Sequence, residues 1–169
     1  MKQVIDLTGE NFNRMDFCEA RIMELLLPSD LPTSLEFTIY GAMILLEPYW
    51  EHDKSFLPDH IQKVDQCVSG IGVIKLSGLL GVYVKLYPYE TKRTFKGETV
   101  FAKNQDGTDL VFKRKWGRKG GNRYLWECVM DWPYGFCSLE VFCSGTVEFE
   151  FDTKSLNRGE YNFEPAQLI

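Results

Sequence analysis

The sequence predicts one mainly β domain spanning residues 1–169, an antiparallel two-layer β-sandwich with a β-barrel as the alternative and at most one or two short helices. Three observations point there. In residues 139–152 Leu139, Val141, Cys143, Val147, Phe149 and Phe151 share odd parity, while Glu140, Ser144, Thr146, Glu148, Glu150 and Asp152 share even parity. That is the period of a half-buried strand, and a slip of one residue would expose every apolar group and bury the acids. Short apolar runs separated by Gly, Pro and Asp-Gly turns recur along the chain, as hairpin-built sheets require. An aromatic content of 14% favours packing of large rings on pleated surfaces.

The elements follow in order. Residues 21–27 are compatible with helix or strand until Pro28 ends them, and the polar turn at 30–34 leads to Leu35, Phe37, Ile39, Gly41, Met43 and Leu45 on one parity. A hairpin spanning 20–27 and 35–47 is expected. Residues 47–60 contain two prolines, aromatics and acids without either periodicity and read as a long loop, a position where function often resides. Residues 73–76 and 82–86 are β-branched runs punctuated by Gly70, Gly72, Gly78 and Gly81, where bulges or tight turns are expected. Asp106-Gly107 marks a hairpin between 99–103 and 109–115, residues 117–122 a second turn, and 124–130 a further strand. Residues 132–135 turn the chain into the final strand region, where Gly145 is placed to bend or bulge it. The count is eight or nine strands, with helix expected only near 9–16 or 58–67.

Composition narrows the class. The chain has 169 residues and a net charge of −5, with a hydrophobic content ordinary for a globular domain. The charge is segregated: residues 1–60 sum to −7, 61–126 to +8 and 127–169 to −6. Two explanations stand, mutual neutralisation between neighbouring strands or a basic face for a polar partner. The start of the chain lacks the apolar core of a secretory signal, and no apolar run approaches the roughly 20 residues of a membrane span. Five cysteines with no Cys-x-x-Cys pair suggest buried thiols in a reducing compartment. A soluble cytoplasmic protein is expected.

Candidate sites are few. Lys113, Arg114, Lys115, Trp116, Arg118, Lys119 and Arg123 make six bases and an aromatic with no acid between Asp109 and Glu127. Such a hairpin can contact an acidic protein surface or grip a phosphate backbone, or be only a solvated tip whose lysines discourage edge pairing. Overall acidity ranks nucleic acid below a protein partner. Trp50, beside the 51–60 loop, is a second interface candidate. His52, Asp53 and His60 gather imidazole and carboxylate groups that suit a divalent metal or a general base, although their spacing matches no tight motif. No phosphate loop, dinucleotide fingerprint or nucleophile elbow occurs, so no cofactor and no catalytic residue is assigned.

Two stretches carry a resemblance. Phe17-Cys18-Glu19-Ala20-Arg21-Ile22-Met23-Glu24-Leu25, and Trp126-Glu127 with Leu139-Glu140-Val141-Phe142-Cys143 and Val147-Glu148-Phe149-Glu150-Phe151, resemble a pattern in small intracellular bacterial β-sheet proteins of unassigned function, some of them toxin-immunity proteins. The resemblance covers about a quarter of the chain. It implies a β fold and a non-catalytic, protein-binding role, and transfers no binding residues. The alternatives remain a small-molecule or metal-dependent enzyme using the 51–60 loop, or nucleic-acid binding through 113–123.

Overall fold

The structure, a computed structural model, describes residues 1–25, 32–46, 59, 61–62, 66–93, 99–103, 121–131 and 135–158, with the backbone alone at 88–93, 99–103 and 158. Its strands are β1 (Lys2–Asp6), β2 (Met15–Asp16), β3 (Arg21–Leu25), β4 (Ser34–Tyr40), β5 (Met43–Leu45), β6 (Gln66–Val68), β7 (Ile71–Ser77), β8 (Leu79–Arg93), β9 (Thr99–Lys103), β10 (Asn122–Met130), β11 (Gly135–Cys143), β12 (Val147–Asp152) and β13 (Asn157–Arg158). Two 3-10 turns, Gly9–Arg14 and Thr153–Ser155, complete the described elements. The first occupies the place where a short helix was expected near 9–16. The expected β class is therefore observed, as a large mixed sheet with a small one and no closed barrel.

The large sheet has the order β1-β12-β7-β4-β3-β10-β11-β8-β9, and the small one β13-β6-β5-β2. The expected hairpin of 20–27 with 35–47 is present as β3 against β4, with Arg21 opposite Tyr40 and Ile22 opposite Ile39. Pairing is not antiparallel throughout, because β3 runs parallel to β10, with Arg21 opposite Val129. Beyond Pro88 the long β8 changes partner from β11 to β9, Tyr89 standing opposite Lys103.

Connection lengths force the large sheet to fold over on itself. β11 and β12 stand five places apart in the strand order, as do β7 and β8. On a flat sheet five spacings cover roughly 24 Å. The four Cα steps from Cys143 to Val147 reach at most about 14 Å, and the two from Ser77 to Leu79 about 7 Å. Only a sheet curled into two facing wings satisfies both, with β1, β12, β7, β4 and β3 in one wing and β10, β11, β8 and β9 in the other. Strands that switch wings through bends are the usual way such corners are made.

The two corners are stapled together. Ser77 N–H donates to Thr146 O at 3.0 Å and Ser144 N–H to Gly78 O at 2.9 Å. Gly78 sits at φ +64, a left-handed conformation that costs glycine nothing, and a Cβ on Gly145 would lie 2.7 Å from Ser77 O. The region 139–152 is thus two strands in different wings, with residues 144–146 as the corner between them. Its parity survives the corner: Leu139, Val141, Cys143, Val147, Phe149 and Phe151 are all buried.

The parity expected over 35–45 does not survive. Leu35, Phe37 and Ile39 are buried, but past Gly41, at φ +75, the buried residues are Ala42, Ile44 and Leu46, while Met43 and Leu45 are partly exposed. Gly41 turns the chain out of the large sheet into the small one, which changes the phase of the alternation. Ile44, Cys67 and Met15 from the small sheet join the wings in one hydrophobic cluster. Within it Trp126 is fully buried, with Phe12 edge-on at 5.1 Å and Phe37 edge-on at 5.2 Å between ring centroids. Trp126 is thereby a packing residue at the centre of the core.

Candidate interaction surface

Arg123 is the member of the basic hairpin that the described residues include, and it is not a free cation. It lies at the start of β10, directly opposite Phe142 of β11, and its Nε donates to Glu140 two residues along that strand. Lys113, Arg114, Lys115, Trp116, Arg118 and Lys119 lie outside the described residues, as do Trp50, His52, Asp53 and His60. Among the described residues no group of three His, Cys, Asp or Glu side chains is placed to hold a metal.

The acids of β12 have their own neighbours. Glu150 accepts from Lys2 Nζ of β1 at 2.6 Å and from Lys75 Nζ of β7 at 2.8 Å, and these two ammonium groups hold its carboxyl down to about 2. Asp152 accepts from the terminal ammonium of Met1 at 2.7 Å and from Lys154 N–H at 3.0 Å, which lowers it as well. Glu140 meets Arg123, whereas Glu150 meets Lys2 and Lys75. Where the described residues place these pairs, acids meet bases of adjacent strands, while Asp6 and Glu148 stand opposite one another.

Four of the five thiols, Cys67, Cys128, Cys137 and Cys143, are buried as expected, whereas Cys18 is exposed; all are free. Burial pushes Cys67, Cys128 and Cys137 up to about 12, and Asp16 beside Cys18 raises that thiol too. None is poised as a nucleophile, since the thiolate is the reactive form.

A second feature emerges from the register alone. On the outer face, Ile71 stands opposite Tyr40, Tyr40 opposite Arg21, Arg21 opposite Val129, Val129 opposite Phe136, and Phe136 opposite Tyr87. These six residues form one continuous row across β7, β4, β3, β10, β11 and β8. Directly opposed side chains in an antiparallel pair lie about 4.5–5.5 Å apart at Cβ, so the register makes these positions neighbours. Ile71 is 55% exposed and Tyr40 45%, and their adjacency joins two exposed large side chains in one patch. Phe136 and Tyr87 pack ring to ring at 6.4 Å, and Arg21 faces Asp131 at 3.8 Å.

The sequence contained half of this signal. Tyr40 lies on the parity opposite the buried Phe37 and Ile39, so its outward direction is readable from the alternation. Its neighbours are not, because Arg21 reaches Val129 through a parallel pairing across about a hundred residues of chain. Chemically the row offers apolar contact, two phenol hydroxyls and a guanidinium, and it contains no acid–base pair suited to catalysis. Comparison with protein-family models, with curated proteins and with solved structures gives no match for this chain.

Proposed function

We propose that this chain is a non-catalytic, cytoplasmic protein-binding domain whose partner seats on the outer row Ile71, Tyr40, Arg21, Val129, Phe136 and Tyr87. The observation that carries the reading is the exposure of Ile71 and Tyr40 in line with Arg21 and two further aromatics. Interface centres are enriched in Tyr, Phe and Arg, and a few such anchors supply most of the binding energy. The narrower form is an immunity-type protein that neutralises a bacterial toxin, the role implied by the resemblance of residues 17–25, 126–127, 139–143 and 147–151.

The basic segment is a separate element. It enters the sheet at the Arg123 end of β10, roughly 20 Å along the strand from Val129. In this proposal it meets an acidic surface on the partner beyond the row.

The test is capture of the product of the adjacent gene in the native genome. Tyr40→Asp and Ile71→Asp are each expected to weaken its binding at least about tenfold. Phe142→Asp, an exposed position at the other end of β11, is the control and leaves binding unchanged. Lys113→Glu with Arg114→Glu reads the contribution of the basic segment. Equal binding by the Tyr40 variant and the control would remove the row from the proposal, and a chain that binds no neighbouring product would remove the immunity-type form.

A further inference from the structure

We propose that the chain forms a two-fold dimer through antiparallel pairing of β1 with β1 of a second copy, continuing the large sheet across the dimer axis. Three features of β1 lead there, each independent of the outer row.

The first is the direction of its backbone groups. Thr153 N–H donates to Met1 O at 2.9 Å and Leu7 N–H donates to Val147 O at 2.7 Å. In an antiparallel pair the residues that face the partner alternate, so Met1, Gln3, Ile5 and Leu7 direct their groups at β12. Lys2, Val4 and Asp6 direct theirs to the open side. β1 is the terminal strand of the sheet, and no strand among the described residues pairs with that side. Such an edge is a template for another strand unless proline, a bulge or unmatched charge blunts it. β1 has neither proline nor bulge, and its central Val4 is 54% exposed.

The second is self-complementarity. Antiparallel pairing centred on Val4 places Val4 opposite its own copy, Lys2 opposite the copy's Asp6, and Asp6 opposite the copy's Lys2. These are the three residues whose backbone groups face outward, so each pair exchanges two hydrogen bonds. All three side chains are exposed on the outer face. An incoming strand that suits this edge needs an acid, an apolar residue and a base at alternate positions in antiparallel order. The segment 2–6 of a second copy has that order, and an isologous interface follows.

The third is an unfavourable contact that dimerisation relieves. Asp6 stands directly opposite Glu148 on the same face, and like charges so placed destabilise a sheet. The copy's Lys2 arrives on the open side of Asp6 and supplies the missing cation, while Glu150 keeps Lys75.

Pairing of short edge strands lies at the low end of interface sizes, so association depends on concentration. Sedimentation of the chain beginning at Met1, any tag being at the C-terminus, is expected to move from monomer toward dimer over about 5 to 500 µM. Lys2→Asp and Asp6→Lys each set like charges opposite one another on both sides of the axis and weaken the dimer about 100-fold. The double variant Lys2→Asp with Asp6→Lys restores opposite charges and dimerises again.

A readout without variants is amide exchange. Protection of Val4 rises with concentration, whereas that of Gln3, already paired with β12, does not. A wild type that stays monomeric would overturn the proposal, as would a dimer insensitive to both single reversals. A folded double variant that fails to recover association, or Val4 exchange independent of concentration, would do the same.

Discussion

β11 and β12 carry the same alternation and bury the same parity, yet they lie in opposite wings and their acids meet different cations. Glu140 of β11 is paired with Arg123, the last base of the densest positive run, while Glu150 of β12 is held between Lys2 and Lys75 near the edge of the other wing. Alternation fixes which face a side chain takes. Strand order fixes what it touches there, and so decides whether an acid is a free surface charge or part of an internal pair.

The largest effects are expected where the two strands are alike. Leu139→Ala in β11 and Phe149→Ala in β12 each empty part of one shared core, at a cost of about 2–5 kcal/mol apiece in denaturant unfolding. Both residues have no measurable exposure and belong to the same cluster. A single cooperative transition in both variants is the expected result, and loss of one wing with the other retained would break the comparison.

The corner comes next. Gly145→Ala places a methyl against Ser77 Oγ and O where the two corners are stapled, and a loss of about 1–3 kcal/mol is expected, measured in the same way. This substitution attacks the link between the strands while leaving both of their buried faces intact.

A smaller effect separates the strands by charge. The Glu150 carboxyl is held at about 2 against an ordinary value of 4.5, chiefly by its hydrogen bonds to Lys2 and Lys75. A depressed carboxyl stabilises the fold above its unfolded value and loses that contribution as pH falls toward the folded one. Stability is therefore expected to drop as the pH is lowered from 4.5 to about 2, with a shallower drop in Glu150→Gln. Because the pair is largely solvated, salt weakens the difference between wild type and variant.

The smallest is chemical. β11 carries Cys137 and Cys143 and β12 carries no thiol, and burial raises both of those thiols. At neutral pH a thiol reagent is expected to modify Cys18 alone in the folded protein, and all five cysteines after unfolding. Rapid labelling of Cys137 without denaturant would show that the wing of β11 opens far more readily than its packing implies.

Much of this architecture is legible in the residues themselves. The odd parity of 139–152 names six core side chains, and the outward Glu140, Glu148, Glu150 and Asp152 are readable from the same period. Gly145 marks a point where the chain leaves its strand, whereas Gly41 reads as one more member of the 35–45 alternation. The phase change at 42–46 is not legible, since an apolar run such as Met43-Ile44-Leu45 fits either parity until the sheet it joins is known. The outer row is hidden for a related reason: its residues come from six strands, and Ile71, Tyr40 and Phe136 lie far apart in the chain.

The sequence by itself determined the class of structure, the buried parity of 139–152 and the burial of most of the cysteines. These follow from local period and side-chain chemistry. Tertiary structure alone decided that β11 and β12 go to opposite wings, that Arg123 and Lys75 serve different acids, and that β1 is left at an edge with Lys2, Val4 and Asp6 facing outward. The physical reason is that hydrogen-bond pairing between strands is set by the competition of every strand for every neighbour, a choice that no single segment encodes.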